Sequence, residues 1–338
     1  MTDDFAEELA KYPLPAFLEG RCTPSVFYKW MNCKADTLFR RDKKRGMPYA
    51  KTASKSIYKA KIYAAVVASG NLDPFTGDSL AWELIGSWDD TKASSDEYKR
   101  KYALLPTIDH ADVDVLEFEI CSWLVNECKC DLTPEEFRTL CLKVVDWAGS
   151  FTRKSVANEP LKQHPIKYPL PAFLDGRCTP PQFYKWLTCK GMTMLRRDKK
   201  RGMPYAKNAT ISTYKAEIYN AVIKSGDCDP FTGDLLAWEQ IGTWDTSETH
   251  DAHYKEQFAL MPTVDHVNPE AFDFEICSWL VNDSKSYLTP DEFRALCRKV
   301  VDREGKNLRH RPRGGQLQLA RANKSVNVLC EAHCSCAP

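Results

Sequence analysis

The chain has 338 residues, of which 47 are Lys or Arg and 46 are Asp or Glu, so that its formal net charge is +1. This is the composition of a soluble globular protein, and no apolar run approaches the ~20 residues that cross a membrane. Residues 1–8 are acidic and lack the basic and apolar regions of a signal peptide. We therefore expect a cytoplasmic protein that does not enter membranes.

The chain contains 14 cysteines, and most of them stand singly. Examples are Cys22, Cys33, Cys121 and Cys141. In a reducing compartment, isolated cysteines behave as small buried hydrophobes more often than as disulfides. We expect buried thiols.

Most of the sequence occurs twice. Residues 11–147 align without a gap on residues 167–303, with roughly two-thirds of the positions identical. Each copy has the size of one domain, which predicts a first repeat over 1–150, a linker over 151–166, a second repeat over 167–303 and a flexible basic tail over 304–338. Two fused similar domains can mimic a homodimer, so we expect a monomer with an internal pseudo-twofold axis.

The first part of each copy is predicted to be helical. Thr23 and Pro24 form an N-cap followed by proline, and the helix over 25–45 should bury Phe27, Trp30 and Leu38 before Gly46 ends it. A second helix is predicted over about 54–68, with apolar residues at helical spacing. Those residues are Ile57, Ile62, Ala65 and Val66.

The later part of each copy is predicted to be mixed. A tight turn over 73–78 is followed by a polar surface loop over 89–97 and by an apolar strand over 103–108. Thr133 and Pro134 then begin a closing helix with Phe137 and Leu140 inside. The order of helices, small β element and closing helix indicates an α+β fold.

Basic residues are concentrated in one short segment of each copy. This segment is either a solvated helix end or a contact with a phosphate backbone. Its residues are Arg40, Arg41, Lys43, Lys44, Arg45, Arg196, Arg197, Lys199, Lys200 and Arg201.

Histidine is used sparingly, yet an Asp-His pair occurs in both copies. The string Pro-Thr-Ile-Asp-His at 106–110 recurs as Pro-Thr-Val-Asp-His at 262–266. Histidine titrates near neutral pH, and the preceding carboxylate offers a hard oxygen ligand. An isolated Asp-His dipeptide arises often by chance, but here it lies between a Thr-Gly turn and an Asn-x-x-Lys segment in both copies.

In this order the three elements resemble the HNH endonucleases, which share the His-Me finger (ββα-metal) fold. The second copy carries the turn Asp-Pro-Phe-Thr-Gly at 229–233, then Val-Asp-His-Val-Asn-Pro at 264–269, then Cys277 and Asn-Asp-Ser-Lys at 282–285. The resemblance covers roughly the last 75 residues of each copy. The helical part before it has no counterpart in the family.

The resemblance implies a role for each matching residue. His110 and His266 match the general base that deprotonates water for attack on a phosphodiester. The expected ligands of one Mg²⁺ or Mn²⁺ ion per copy are oxygen donors. Those ligands are Asp109 and Asn126 in the first copy, and Asp265 and Asn282 in the second. Lys129 and Lys285 match a lysine that the family often carries one turn later.

Two features depart from the family pattern. Where the family has an asparagine that orients the base, this chain has Glu117 and Asp273. A carboxylate there could hold the imidazole tautomer, or the site could have decayed. The paired zinc-binding cysteines are absent, and Asp73 and Asp229 occupy the place of the first of them, so we expect no structural zinc in the repeats.

These observations favour a metal-dependent endonuclease that acts on double-stranded DNA through one or two HNH-like sites. The alternatives are a non-catalytic nucleic-acid-binding protein on a decayed HNH-like fold, and an interaction module in which Asp-His is a core pair. The tail adds a basic arm over 309–315 that would touch nucleic acid, and a group of metal-ligand residue types. That group comprises Cys330, His333, Cys334 and Cys336.

Overall fold

A computed structural model describes residues 3–93, 95–112, 114–150, 167–244, 252–268 and 270–309. The helices of the first half are α1 (Asp3–Lys11), α2 (Pro24–Arg45), α3 (Lys55–Ser69), α4 (Asp96–Lys101), α5 (Trp123–Lys129) and α6 (Pro134–Ser150), with strands β1 (Pro106–Asp112) and β2 (Glu117–Ser122). The second half has α7 (Pro180–Arg201), α8 (Ile211–Ser225), α9 (Ala252–Gln257), strands β3 (Pro262–His266) and β4 (Phe274–Ser278), α10 (Trp279–Lys285) and α11 (Pro290–Arg309). The fold is α+β, as expected.

The helix α2 begins and ends where its sequence predicts. The Thr23 hydroxyl accepts a hydrogen bond from the Val26 N–H at 3.3 Å, which satisfies one of the free donors of the first turn. Gly46 ends the helix with φ of 74°, a left-handed conformation that glycine adopts without penalty. The predicted core positions Phe27 and Trp30 are buried.

The helix α3 confirms most of its predicted buried face. Ile62, Ala65 and Val66 are buried, but Ile57 is 44% exposed. Ile57 lies in the first turn of α3 and is outside the buried face, whereas its neighbour Tyr58 is buried.

Each half contains an antiparallel two-stranded hairpin followed directly by a short helix. In the first hairpin Asp109 pairs with Glu119 and His110 with Phe118, and in the second Asp265 pairs with Glu275. The strand β1 starts later than predicted and includes the Asp-His pair. The result is a ββα unit in each half.

A buried carboxylate ties the Thr-Gly turn to the hairpin. In the second half, Asp229 Oδ1 accepts the N–H groups of Phe231 at 2.7 Å and Thr232 at 3.1 Å. Its Oδ2 accepts the N–H of Ser278 at 2.6 Å. Asp73 makes the corresponding bonds in the first half. These two aspartates therefore join the turn and the hairpin of each half through hydrogen bonds.

The two halves share a hydrophobic core. One cluster contains Phe137 and Val144 of α6 together with Phe293 and Val300 of α11. Each half also has its own cluster between its helical part and its hairpin. Burial of apolar surface across the halves stabilises their association.

Contacts around the shared core are reciprocal. Lys143 of α6 pairs with Asp234 at 2.8 Å, and Lys299 of α11 pairs with Asp78 at 2.8 Å. Trp147 packs so closely on Gly233 that a Cβ there would lie 2.5 Å from the indole ring. Each closing helix thus packs on the Thr-Gly turn of the other half.

The boundaries differ from prediction at two places. The helix α11 continues to Arg309, so the start of the predicted flexible tail is helical. The predicted polar loop over 89–97 includes the first residues of α4. Pro269, the linker over 151–166 and the tail cysteines with His333 lie outside the described residues.

The cysteines fall into two environments. Cys121 and Cys141 are buried free thiols, as predicted, with Cys128, Cys277 and Cys297 in the same core. Cys33 is exposed, contrary to the prediction, and Cys22 is half-buried against the core of the first half. In the part of the chain that is described, no helix has the length and apolar character needed to cross a membrane.

Candidate functional site

The two histidines of the Asp-His pairs lie buried in their hairpins. His110 is 7% exposed and His266 is 3% exposed. The Phe274 ring lies 4.9 Å from the His266 ring between centroids, and Phe118 lies 5.1 Å from His110. Each imidazole thus packs against the phenylalanine that pairs with it across the hairpin.

Two consecutive residues of the basic helix hold each imidazole. In the second half, His266 Nε2 lies 3.1 Å from Asp198 Oδ2, and its Nδ1 lies 2.8 Å from an amino group of Arg197. In the first half, both corresponding distances, from His110 to Asp42 and to Arg41, are 3.0 Å. The basic segment and the hairpin are therefore parts of one site.

The carboxylate that faces the imidazole is also held by a tyrosine. Tyr214 donates to Asp198 at 2.8 Å, and Tyr58 donates to Asp42 at 2.9 Å. Burial alone would raise the pKa of Asp198, but hydrogen bonds from His266 and Tyr214 and the nearby cationic groups lower it overall. The pKa of Asp42 is lowered in the same way. The carboxylate is thus ready to stabilise an imidazolium ion.

The lysine at the end of each short helix anchors the aspartate. Lys285 Nζ lies 2.8 Å from Asp265 Oδ2 and donates to the carbonyl of Leu288 at 2.6 Å. Lys129 lies 3.1 Å from Asp109. Both lysines are buried, so they position the aspartate instead of presenting a charge at the surface.

A small cavity of about 80 Å³ lies beside His266. Residues of the ββα unit border it, together with two arginines of α7 and a residue of the first half. Its lining includes Asp96, Arg197, Arg201, Asp265, His266, Asn282 and Lys285. The predicted base and both predicted metal ligands of the second half thus border one space. Asn126, the counterpart of Asn282 in the first half, is half-buried on α5.

The residues predicted to orient the base do not hold it. Glu117 and Asp273 are exposed at the start of the second hairpin strand, whereas Asp42 and Asp198 contact the imidazoles. The prediction that Glu117 and Asp273 orient the base was wrong, because Glu117 is the exposed first residue of β2 and Asp273 is the exposed residue before β4. The basic helix supplies the carboxylate that contacts each imidazole.

The predicted basic residues divide into two groups. Arg41 and Arg197 contact the histidines, and Arg201 borders the cavity. The rest are exposed around the C-terminal ends of α2 and α7. They are Arg40, Lys43, Lys44, Arg45, Arg196, Lys199 and Lys200.

Two carboxylic acids on the hairpins were not predicted as site residues. Burial, then the charge of Asp265, raises the pKa of Glu275 to about 7. Burial, then Asp109, raises the pKa of Glu119 to about 7. Both lie across the hairpin from the Asp-His aspartate. Once the hairpin register is known, side-chain alternation along a strand places each glutamate on the same face as the aspartate opposite it.

The resemblance implies a divalent cation, and the side chains around the cavity can be compared with the ligands that such an ion needs. Among the described residues, no group of three or more His, Cys, Asp or Glu side chains is arranged to hold an ion. The oxygen donors at the cavity are Asp265 and the amide of Asn282. Mg²⁺ commonly binds through one or two carboxylates, waters and substrate phosphates. These donors fit an ion whose coordination is completed by substrate.

Comparison of the chain with protein-family models, curated proteins and solved structures finds no match in any of the three.

Proposed function

We propose that the protein is a metal-dependent, HNH-like endonuclease that hydrolyses phosphodiester bonds in double-stranded DNA. The observation that carries the proposal is the cavity of the second half. There Asp265, His266 and Asn282 of a ββα unit border the same space as Arg197 and Arg201. A base, two oxygen ligands and two phosphate-binding guanidinium groups in one cavity are the parts that phosphodiester hydrolysis needs.

His266 is the general base of the proposed reaction. Its unprotonated nitrogen takes a proton from water, the water oxygen bonds to phosphorus, and the bond from phosphorus to the leaving sugar oxygen breaks. Solvent protonates that oxygen. Asp198 accepts the Nε2 hydrogen and stabilises the imidazolium that forms, while Arg201 binds the phosphate.

Asp265 and Asn282 hold the divalent cation, Mg²⁺ or Mn²⁺. When bound, it offsets the negative charge that develops on the phosphate and leaving oxygen. Lys285 keeps Asp265 in place through their ion pair. His110, Asp109, Asn126 and Lys129 have the same roles in the first half.

We interpret the halves as a tandem duplication that forms a monomer with pseudo-twofold symmetry, in the cytoplasm. The exposed basic residues at the ends of α2 and α7 would contact the DNA backbone without reading bases. A site in each half would allow both strands of a duplex to be cut.

The second candidate function is DNA binding without cleavage. The observation that favours it is the burial of both Lys285 and Asp265, which pairs the predicted metal ligand with a fixed cation. The two functions share the basic surface and differ only in turnover.

A plasmid assay distinguishes them. Supercoiled plasmid is incubated with the full chain and Mg²⁺, Mn²⁺ or a chelator, using wild type, Asn282→Ala, Asn126→Ala and the double variant. We expect metal-dependent nicking that falls when either amide is removed, and further when both are. Retarded but uncut plasmid would support the binding function, and cleavage that persists with chelator would overturn the metal role.

A further inference from the structure

The contact between arginine and histidine fixes which imidazole nitrogen is free. A guanidinium group only donates hydrogen bonds. Because the Arg197 amino group lies 2.8 Å from His266 Nδ1, that nitrogen must accept. In a neutral imidazole the other nitrogen then carries the hydrogen, and His266 Nε2 donates it to Asp198 at 3.1 Å.

It follows that the only basic nitrogen of the neutral ring is covered. Water cannot transfer a proton to Nδ1 while the arginine donates to it. His110 has the same arrangement, with Arg41 at 3.0 Å from Nδ1 and Asp42 at 3.0 Å from Nε2. The tyrosine hydroxyl of Tyr205, 3.3 Å from Nε2, lies on the Asp198 side and does not compete for Nδ1.

Arg197 also has an unused hydrogen-bond donor. Its Nε is buried and has no hydrogen-bond partner among the described residues, which costs free energy. Arg197 borders the cavity beside Arg201, with Asp96 and Asp265 as the carboxylates on its walls. A phosphate oxygen in the cavity would accept from the guanidinium with bidentate geometry.

We propose that Arg197 covers the basic nitrogen of His266 until a phosphate enters the cavity, and that its guanidinium then moves onto the phosphate and exposes Nδ1. This substrate-dependent uncovering restricts proton abstraction to the moment when a phosphodiester is bound. The role of the uncovered nitrogen rests on the proposed nuclease function. The movement itself requires only phosphate.

The test uses the full chain labelled with ¹⁵N-histidine and titrated with inorganic phosphate, at a pH where the ¹⁵N shifts show a neutral ring. The His266 signals are assigned by their loss in His266→Gln. We expect the Nε2–H tautomer in the free protein. Phosphate should move the Nδ1 resonance downfield, because an unprotonated nitrogen that stops accepting a hydrogen bond shifts in that direction.

Two arginine variants give the matched comparison. In Arg197→Ala, Nδ1 should start at the downfield position, and phosphate should leave it there. Arg201→Ala should weaken phosphate binding but reach the same final Nδ1 shift as wild type. Arg197→Leu, which also has no donor for Nδ1, serves as a second variant with the same expected result if the alanine variant does not melt cooperatively.

Three results would overturn the inference. They are an Nδ1–H tautomer in the free protein, an unchanged Nδ1 signal when calorimetry shows phosphate bound, and no phosphate binding at all. DNA cleavage together with an Nδ1 resonance that phosphate does not shift would overturn this inference and leave the proposed nuclease function intact. A moving Nδ1 without any cleavage would remove the nuclease function and retain the uncovering.

Discussion

Asp198 Oδ2 lies 3.1 Å from His266 Nε2, although the two residues are 68 positions apart in the chain. The aspartate belongs to the helical part of its half and the histidine to the hairpin. The contact therefore makes the helical part, which the resemblance to the HNH endonucleases does not cover, a component of the candidate site. The same contact joins Asp42 to His110.

Asp198→Asn tests whether this contact supports the base. An asparagine cannot offset the charge of the imidazolium, so we expect nicking to fall by roughly 10²- to 10⁴-fold. Asp273→Asn is the matched control, because Asp273 is exposed and its charge change is the same. Initial nicking rates at fixed Mg²⁺ give the comparison. An equal loss in both variants would contradict the assignment of Asp198.

The carboxylate of Asp229 is predicted to stabilise the fold. Asp229→Ala leaves the N–H groups of Phe231, Thr232 and Ser278 without their acceptor. Unsatisfied buried donors cost about 1–3 kcal/mol each, so the free energy of unfolding in urea should fall by several kcal/mol. Asp227→Ala, a neighbouring change outside this network, should have little effect. Similar stability of the two variants would show that the turn does not depend on the carboxylate.

Glu275 predicts a pH dependence of stability. Its pKa is raised to about 7 in the folded protein from an ordinary 4.5, so the folded state binds the proton more tightly than the unfolded state. The contribution of Glu275 to stability therefore declines as pH rises from about 4.5 to 7 and is constant above that range.

Glu275→Gln removes the ionisable group and therefore removes the decline in stability between about pH 4.5 and 7. At pH 8 we expect the variant to be more stable than wild type by on the order of 1–2 kcal/mol, with the difference vanishing near pH 4. Urea unfolding at both pH values measures it, with the exposed Glu117→Gln as control. If the stability difference between Glu275→Gln and wild type is the same at both pH values, the effect comes from packing and not from the ionisation of Glu275.

The close packing of Trp147 on Gly233 predicts a graded series of glycine variants. Gly176→Ala meets only the backbone cost of its φ of +76°, since nothing lies within 4 Å of the new methyl group. That cost is about 1–2 kcal/mol. In Gly77→Ala the methyl group lies 3.2 Å from the Arg303 side chain, which is flexible and can move.

Gly233→Ala should be the most destabilising of the three. Its methyl group would lie 2.5 Å from Trp147, and overpacking adds about 1–3 kcal/mol to the backbone cost. The free energy of unfolding of each variant tests this order. A Gly233→Ala variant as stable as Gly176→Ala would contradict the packing of the closing helix on the opposite half.

Local signals predicted much of the secondary structure. Thr23 and Gly46 bound α2 because caps and left-handed glycines act within one turn. The apolar residues before the Asp-His pair likewise indicated a strand, which the structure places at Pro106–Asp112. Asp42 was missed because it lies in a basic run that is typical of solvated helix ends. Yet it follows Phe27, Met31, Ala35 and Leu38 on the buried stripe of α2, and a carboxylate on such a stripe needs a partner.

Contacts between the halves could not be predicted from sequence periodicity. The packing of Trp147 on Gly233 and the presence of Asp96 at the cavity depend on how two whole units associate. The raised pKa of Glu275 depends on burial in the folded protein, which periodicity along one strand does not give. Side-chain alternation indicates which strand face a residue occupies, but not which helix covers that face.

The most direct test of the proposed endonuclease is the loss of both histidines in the full chain. Nicking of supercoiled plasmid with Mg²⁺ is compared for wild type, His110→Ala, His266→Ala and the double variant, after confirming cooperative melting of each. We expect the double variant to lose at least about 10²-fold in rate, the low end for removing a general base, and the single variants to show how the halves divide the activity. A double variant that nicks as fast as wild type would contradict the assignment of these histidines as the bases.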